Sequence, residues 1–367
     1  MHRSRIAACL AAAFALPASI AAADPFVDPR ADTIPAIEAN TVFAGAPRDR
    51  ACQESRLVST GGPAPRDHHT LAVRWTGFSN FELAYDGKII LLDAFFDRGS
   101  NYPPLGFSAA DVKKADVILL GHGHFDHMAD AASVGIRTGA VIVGAPVTTA
   151  KLKTEGVPEK QIRTVIGRAK EKLFFAGFTV EAILGLHGQP DKHITEVMEG
   201  AANSLAPKLT PAQQAEEKTI QDRGTFDPSV ITEGTIAYRI TLDDGFTIMY
   251  RDSGGHVTDY EKQAMRDTPQ GVDLALVALS ADFLNPLVAT MALEHERLYK
   301  PDVFMPAHHD AAFSGHTPLW RATEPVFQAL KDTDPQLVTV SREYREPVCF
   351  NTEINIANGR KRLAPGG

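Results

Sequence analysis

From residue 71 onward, apolar residues recur with period two in short runs, and each run stops at a polar or glycine-containing exit. Residues 71–75 and 81–85 read as two strands. The turn Asp86-Gly87 joins the second of them to the run 88–93 as a hairpin. Residues 108–114 predict a short helix capped by Ser108, leading into a strand over 116–120. A strand at 141–143 and a helix near 147–153 follow. Residues 174–183 predict a hairpin turning at Ala176-Gly177, and residues 235–250 another turning at Asp243-Asp244-Gly245. Beyond them lie a strand over 272–277, a helix over 287–299 ended by Pro301, and a strand that starts at Val303 and exits at Pro306-Ala307-His308-His309. Strands alternating with helices in this way predict an α/β fold built in layers.

The stretches outside this pattern set the domain limits. Residues 24–66, rich in Pro, Ala and charge without clear periodicity, are expected to form an extended N-terminal arm. Residues 67–342 are expected to form one domain, and residues 343–367 a C-terminal strand and tail. Within the domain, residues 191–233 form a polar segment too long for an ordinary connection. It holds a helix start in which Thr210 is the cap, Pro211 the first helical residue and Gln213 the third member of a capping box. Because it leaves the chain just after His187 and returns shortly before Asp252, it reads as a lid that sets substrate choice, or as a surface excursion. Residues 1–23 have the anatomy of a secretory leader, with Arg3 and Arg5, an apolar stretch over 6–20 and Ala21-Ala22-Ala23 before Asp24. Cleavage after Ala23 and a periplasmic or secreted mature protein are the expectation. The apolar stretch is interrupted by Pro17, and no other run reaches the roughly 18 residues of a spanning helix, so no integral membrane segment is expected in the mature chain.

Composition narrows the partners. A formal net charge of −8 without any Lys/Arg-rich block lacks the footprint of a nucleic-acid binder, which leaves a small-molecule substrate. Of the three cysteines, Cys9 departs with the leader, so Cys52 and Cys349 remain. In an oxidising compartment they are expected to pair, tying the arm to the C-terminal strand, two unrelated buried thiols being the other reading.

The chemistry concentrates in Leu119-Leu120-Gly121-His122-Gly123-His124-Phe125-Asp126-His127. Three imidazoles and a carboxylate on an H-x-H-x-D-H spacing, at the end of a buried strand, suit Zn²⁺ or Fe. Surface histidines gathered in a turn would share the spacing. Three other strand exits carry candidate ligands, Gly185-Leu186-His187, Arg251-Asp252-Ser253-Gly254-Gly255-His256 and Val303 to His309. Asp93, at a strand's end, is either an acceptor for the outer nitrogen of a ligand imidazole or a hairpin-end or helix-capping aspartate. His256 and His309 adjoin candidate ligands, while His68, His69, His193, His295 and His316 have no spacing that recruits them.

Together with Trp75-Thr76-Gly77-Phe78, Leu91-Leu92-Asp93-Ala94 and Pro306-Ala307-His308, these motifs resemble the metallo-β-lactamase superfamily over roughly residues 71–336. Within it they are most similar to the branch of L-ascorbate-6-phosphate lactonase-like enzymes and N-acylphosphatidylethanolamine phospholipase D. The resemblance implies an αβ/βα four-layer sandwich and a hydrolase with two divalent metal ions, in first place Zn²⁺. It assigns His122, His124 and His187 to one ion and Asp126, His127 and His308 to the other. Asp252 bridges both, and Asp126 doubles as the catalytic residue that orients the attacking water. Phe78 and Arg251 depart from the pattern, which often has histidine and glycine there. Esters, lactones and phosphodiesters are the implied substrates. An iron-dependent dioxygenase, a β-lactam hydrolase and a metal-retaining binding protein stay open as alternatives.

Overall fold

The computed structural model describes residues 49–188, 209–279, 288–310, 319–355 and 360–361. The expected leader, residues 24–48 of the N-terminal arm and residues 191–208 of the polar segment lie outside the described residues. Two seven-stranded sheets dominate. The first contains β1 (Thr70–Trp75), β2 (Phe81–Tyr85), β3 (Lys88–Leu92), β4 (Val117–Leu119), β5 (Val141–Gly144) and β6 (Ile162–Thr164). The second contains β7 (Glu171–Phe175), β8 (Phe178–Leu184), β9 (Ile236–Leu242), β10 (Thr247–Arg251), β11 (Leu274–Ala278), β12 (Val303–Ala307) and β13 (Val338–Thr339). The last strand, β14 (Pro347–Asn351), returns to the first sheet, whose order is β14-β1-β2-β3-β4-β5-β6, against β13-β12-β11-β10-β9-β8-β7 in the second.

Both sheets repeat one pattern. β14, β1, β2 and β3 pair antiparallel and β3, β4, β5 and β6 parallel. In the second sheet β7 to β10 pair antiparallel and β10 to β13 parallel. Period-two side chains separate the layers. Ile90, Leu92, Val117 and Leu119 face Ile248, Tyr250, Leu274 and Leu276 in a core between the sheets. The alternate residues Ile89, Leu91 and Ile118 pack outward with Met128 and Val134, as Met249, Ala275 and Phe304 do with Ala292 and Leu330. Three apolar layers between four structural ones make the αβ/βα sandwich that the motifs implied.

Most elements fall where the residue pattern put them, and the differences have local causes. The helix expected over 108–114 is only one 3-10 turn, Ala109–Asp111, because Val112 goes extended; its capping box between Ser108 and Asp111 is present. The helix Pro211–Gln221 carries the expected box between Thr210 and Gln213. The short strands β6 and β13 and the helices Ala131–Thr138, Asp259–Met265 and Leu319–Thr333 were not anticipated. No helix among the described residues is long and apolar enough to cross a membrane.

Cys52 and Cys349 form a disulfide with Cα atoms 5.8 Å apart, fastening the end of the arm to β14. A buried ion pair beside it holds the same segment. Arg74 reaches Glu82 at 3.3 Å and donates to the carbonyls of Ala51 and Glu54, while Glu82 accepts from the amides of Val58 and Ser59.

Candidate metal centre

The candidate site lies between the sheets, beyond the ends of β3, β4, β8, β10 and β12. In each sheet, pairing changes from antiparallel to parallel at the strand whose next residue is an aspartate, Asp93 after β3 and Asp252 after β10. A change of strand direction leaves a crevice at the strand ends, a habitual place for a ligand.

The strand β4 ends at Leu119, and after Leu120-Gly121 the chain presents His122 and His124 and turns into the helix Phe125–Met128, which carries Asp126 and His127. Gly121 makes this possible twice over. Its amide donates to Asp93 Oδ1 at 2.9 Å, and a Cβ there would lie 1.9 Å from the Asp252 carboxyl carbon. Only glycine lets the loop approach so closely.

Three sets of ligand atoms, each within 4.8 Å of one another, come together: His122, His124 and His187; His122, His127 and Asp252; Asp126, His127 and His308. The middle set shares residues with the outer two. His122 Nε2 lies 3.0 Å from His124 Nδ1, and His122 Nδ1 lies 2.5 Å from Asp252 Oδ2. His187 donates its Nδ1 proton to the Gly188 carbonyl at 2.7 Å, leaving Nε2 for the cluster. On the other side His308 Nε2 lies 3.1 Å and His127 Nε2 3.4 Å from Asp126 Oδ2. Asp252 Oδ1 is buried without a hydrogen-bond partner. A buried carboxylate oxygen with no donor is costly unless a cation completes it.

Electrostatics divide the site. Burial, with His127, His187 and His124 adding to it, holds His122 well below the ordinary histidine range. Burial also lowers His124, and burial with His124 pushes His187 down to about 4. Burial thus favours the neutral form of these rings, which has a lone pair to offer. Burial opposes charge on His127 too, but Asp126 and Asp93 outweigh it and raise the ring well above its usual range. Asp126 is held well below the carboxylate range because His127 and His308 outweigh its burial. A place that draws a proton this strongly draws a cation for the same reason.

Asp93 lies where an imidazole acceptor should. Its Oδ2 is 2.6 Å from His127 Nδ1 and 2.7 Å from the Tyr250 hydroxyl. Burial raises Asp93 to about 6 and raises Asp252 as well, against the pull of His127 on both. Asp93, His308 and Phe78 all have positive φ, at 56°, 56° and 48°. Such backbone costs a non-glycine residue roughly 1–3 kcal/mol and gathers at functional sites. Phe78, the departure at the first motif, is buried with its ring edge-on to His308, centroids 5.2 Å apart.

A family model described as a beta-lactamase superfamily domain matches residues 88–297, a span that contains six of the seven candidate ligands and both aspartates that face each other across the site. The chain belongs to the beta-lactamase superfamily. Among relatives of this beta-lactamase superfamily chain, a UPF0173 metal-dependent hydrolase of Roseiflexus sp. (strain RS-1) is 26% identical over 253 residues, covering 68% of this chain and 85% of the relative. Another of that description, from Nitratidesulfovibrio vulgaris (strain DP4), is 25% identical over 221 residues, covering 60% and 73%. Among solved structures, Igni18, a metallo hydrolase from the archaeon Ignicoccus hospitalis, superposes with a TM-score of 0.50 at 17% identity, covering 77% of this chain and 98% of that one. It shares the fold.

Several contributors escaped the sequence reading. Arg251, the second departure, is fully buried and paired with Glu261 at 3.2 Å. Its guanidinium donates to the carbonyls of Leu186, Gly255 and His256, so one side chain ties the His187 loop to the Asp252 loop. His309 is not a free loop residue: it is buried and stacks on Trp75 at 4.3 Å. Asp310 accepts from the Phe78 amide at 2.8 Å and pairs with buried Arg98, bracing the Phe78 turn, whose carbonyl accepts from the His308 amide at 2.7 Å. His256 is turned away, on Glu294. An acidic residue directly after a His-His pair was the one available signal for Asp310; Arg251 stood out only as a departure from the motif, with nothing local to mark its role between the loops.

Proposed function

We propose that this chain is an exported metal-dependent hydrolase that holds two divalent ions, in first place zinc, and cleaves an ester, lactone or phosphodiester. The observation that carries the reading is the pair of ligand sets, His122/His124/His187 and Asp126/His127/His308, with Asp252 between them and its Oδ1 free of any protein donor. The donor chemistry fits, since imidazoles and carboxylates suit Zn²⁺ and a shared carboxylate suits a pair of ions. The names of the Roseiflexus and Nitratidesulfovibrio relatives point the same way.

When bound, the ions would supply an acidified water and polarise the oxygen of the scissile bond. The protein's own part follows from its contacts. Asp93 holds the His127 ring by Nδ1 and so aims Nε2 inward. Asp126, whose Oδ2 lies 3.1 Å from His308 Nε2 and 3.4 Å from His127 Nε2, would stay ionised and orient the attacking water as a hydrogen-bond acceptor. Arg251 fixes the distance between the loops of His187 and Asp252. The polar segment belongs to the same reading as a lid, since its described part, residues 209–233, lies against the ligand loop through the Thr225 amide, which donates to the Gly123 carbonyl at 2.7 Å. Export is supported by the leader-like residues 1–23 and by the Cys52–Cys349 disulfide.

Metal analysis of the purified chain, run with a turnover panel of lactones, carboxylic esters, phosphodiesters and β-lactams, tests the proposal. The expected result is about two divalent ions per chain, mainly zinc, with hydrolysis of one of the first three classes. One iron per chain with oxygen consumption, or no bound metal, overturns it.

A further inference from the structure

Phe226 is 62% exposed, an unusual position for a phenylalanine, and its ring lies 5.6 Å from that of His124 at an interplanar angle of 30°. It also stands 6.2 Å from Phe125. The backbone that presents it is held from several sides. Thr225 donates to the Gly123 carbonyl at 2.7 Å, between the candidate ligands His122 and His124. Arg223 pairs with Asp130 and donates to the Asp97 carbonyl at 3.0 Å. Lys151 donates to the Asp222 carbonyl at 2.7 Å, and Asp227 caps the following turn through the amide and hydroxyl of Ser229.

Two glycines permit this docking. A Cβ on Gly224 would come within 2.3 Å of the Phe125 amide nitrogen, and one on Gly123 within 2.6 Å of Thr225 Cγ2. The segment is therefore pressed backbone to backbone on the ligand loop, and what it holds out beside His124 is an apolar ring. A rigid, exposed aromatic at the rim of a polar centre loses nothing by being covered and gains by covering an apolar surface. Polar ligands fix the reacting atoms, and an apolar wall beside them selects among substrates.

We propose that Phe226 is a specificity-determining residue, packing against an apolar, aryl or long-chain, group next to the scissile bond, so that the substrate is a hydrophobic ester, lactone or phosphodiester. This rests on the metal-hydrolase reading above. The test uses two anionic probes on the zinc-loaded full chain, methylphosphonate and benzylphosphonate, with binding measured by calorimetry and zinc content by elemental analysis. The wild-type chain should bind benzylphosphonate about tenfold more tightly than methylphosphonate, roughly 1.4 kcal/mol. In Phe226→Ala the ratio should fall toward one with zinc content unchanged, and in Phe226→Tyr, which keeps the ring, it should persist. Equal binding of the two probes by the wild-type chain, a preference that survives in Phe226→Ala, or loss of both probes alike in that variant, overturns the proposal while leaving the metal reading intact. Zinc-loaded wild-type protein that binds neither anion overturns this inference alone, whereas a wild-type chain that takes up no zinc overturns the metal reading, and this inference with it.

Discussion

Asp93 and Asp252 occupy the same place in the two halves of the molecule. Each is the first residue after the strand at which its sheet changes from antiparallel to parallel pairing, and each is completely buried. Gly121 stands between them, donating its amide to one and making room by its missing side chain for the other. What separates them is how far the protein satisfies each carboxylate. Asp93 is saturated, with Oδ1 on the Gly121 amide and Oδ2 on His127 and Tyr250. Asp252 has Oδ2 beside His122 and Oδ1 without a partner. Equivalent topology gave two carboxylates to the crevice, and the hydrogen-bond donors around them set the two apart: one is taken up by an amide, an imidazole and a hydroxyl, and the other keeps an oxygen without a protein donor.

Replacing both aspartates in turn is the sharpest way to break that comparison. Asp252→Ala should have the largest effect, lowering metal occupancy and turnover together by more than the roughly 10–100-fold that loss of an outer partner causes. Elemental analysis and steady-state kinetics read both quantities, and full activity would remove Asp252 from the bridging position. Asp93→Ala should weaken metal binding by about 10–100-fold without abolishing it, because every ligand remains while His127 loses its orienting acceptor. It also strands the Gly121 amide, at about 1–3 kcal/mol for a buried group left unmade, whereas the Tyr250 hydroxyl keeps the Ser79 carbonyl at 2.9 Å. If the two variants lose metal to the same extent, the division of roles between the carboxylates is wrong.

The halves differ at their edges too. The β14 edge of the first sheet is fastened through Cys349 to the arm, whereas among the described residues the β13 edge of the second has no disulfide. Reduction should lower stability by about 2–4 kcal/mol in the chain-entropy account. Amide exchange should accelerate first in β14 and its neighbour β1, while β13 stays protected. A thermal midpoint indifferent to reductant would show that the Arg74–Glu82 cluster alone holds that edge.

The smallest expected effect lies in the helix Val288–Tyr299 outside the second sheet, which buries His295; the helices Ala131–Thr138 and Pro146–Thr154 of the first contain no histidine. Burial, with Arg251 nearby, pushes His295 down to about 4. The folded-state pKa lies below the unfolded value near 6.5, so the native chain binds fewer protons between the two. The contribution of His295 is thus intact above about pH 6.5 and is lost as pH falls toward 4, at most of order 3 kcal/mol. His295→Met should flatten that limb of a urea-midpoint profile against pH. An unchanged profile would assign the acid sensitivity to other groups.

Much of this architecture was legible in the residues because it is local. Period-two apolar runs with Asp-Gly and Ala-Gly turns located the hairpins, and Thr210, Pro211 and Gln213 located a helix start. Elements stabilised from elsewhere were not: β13 is two residues paired to one edge of β12, and the 108–114 helix shrank to a turn. The seven candidate ligands were proposed from the family resemblance, and the fold brings their side chains within reach of one another.

The sequence by itself determined the alternating strands and helices, the capped helix start, the cysteines Cys52 and Cys349 and a set of imidazoles and carboxylates suited to divalent cations. Tertiary structure alone decided that Asp93 meets His127 and Tyr250, that Arg251 joins two loops 65 residues apart, and that Phe226 lies over His124. The physical reason is that a turn or cap is fixed by atoms a few residues apart, whereas the role of a buried polar group is fixed by which donors and acceptors the packed sheets bring against it.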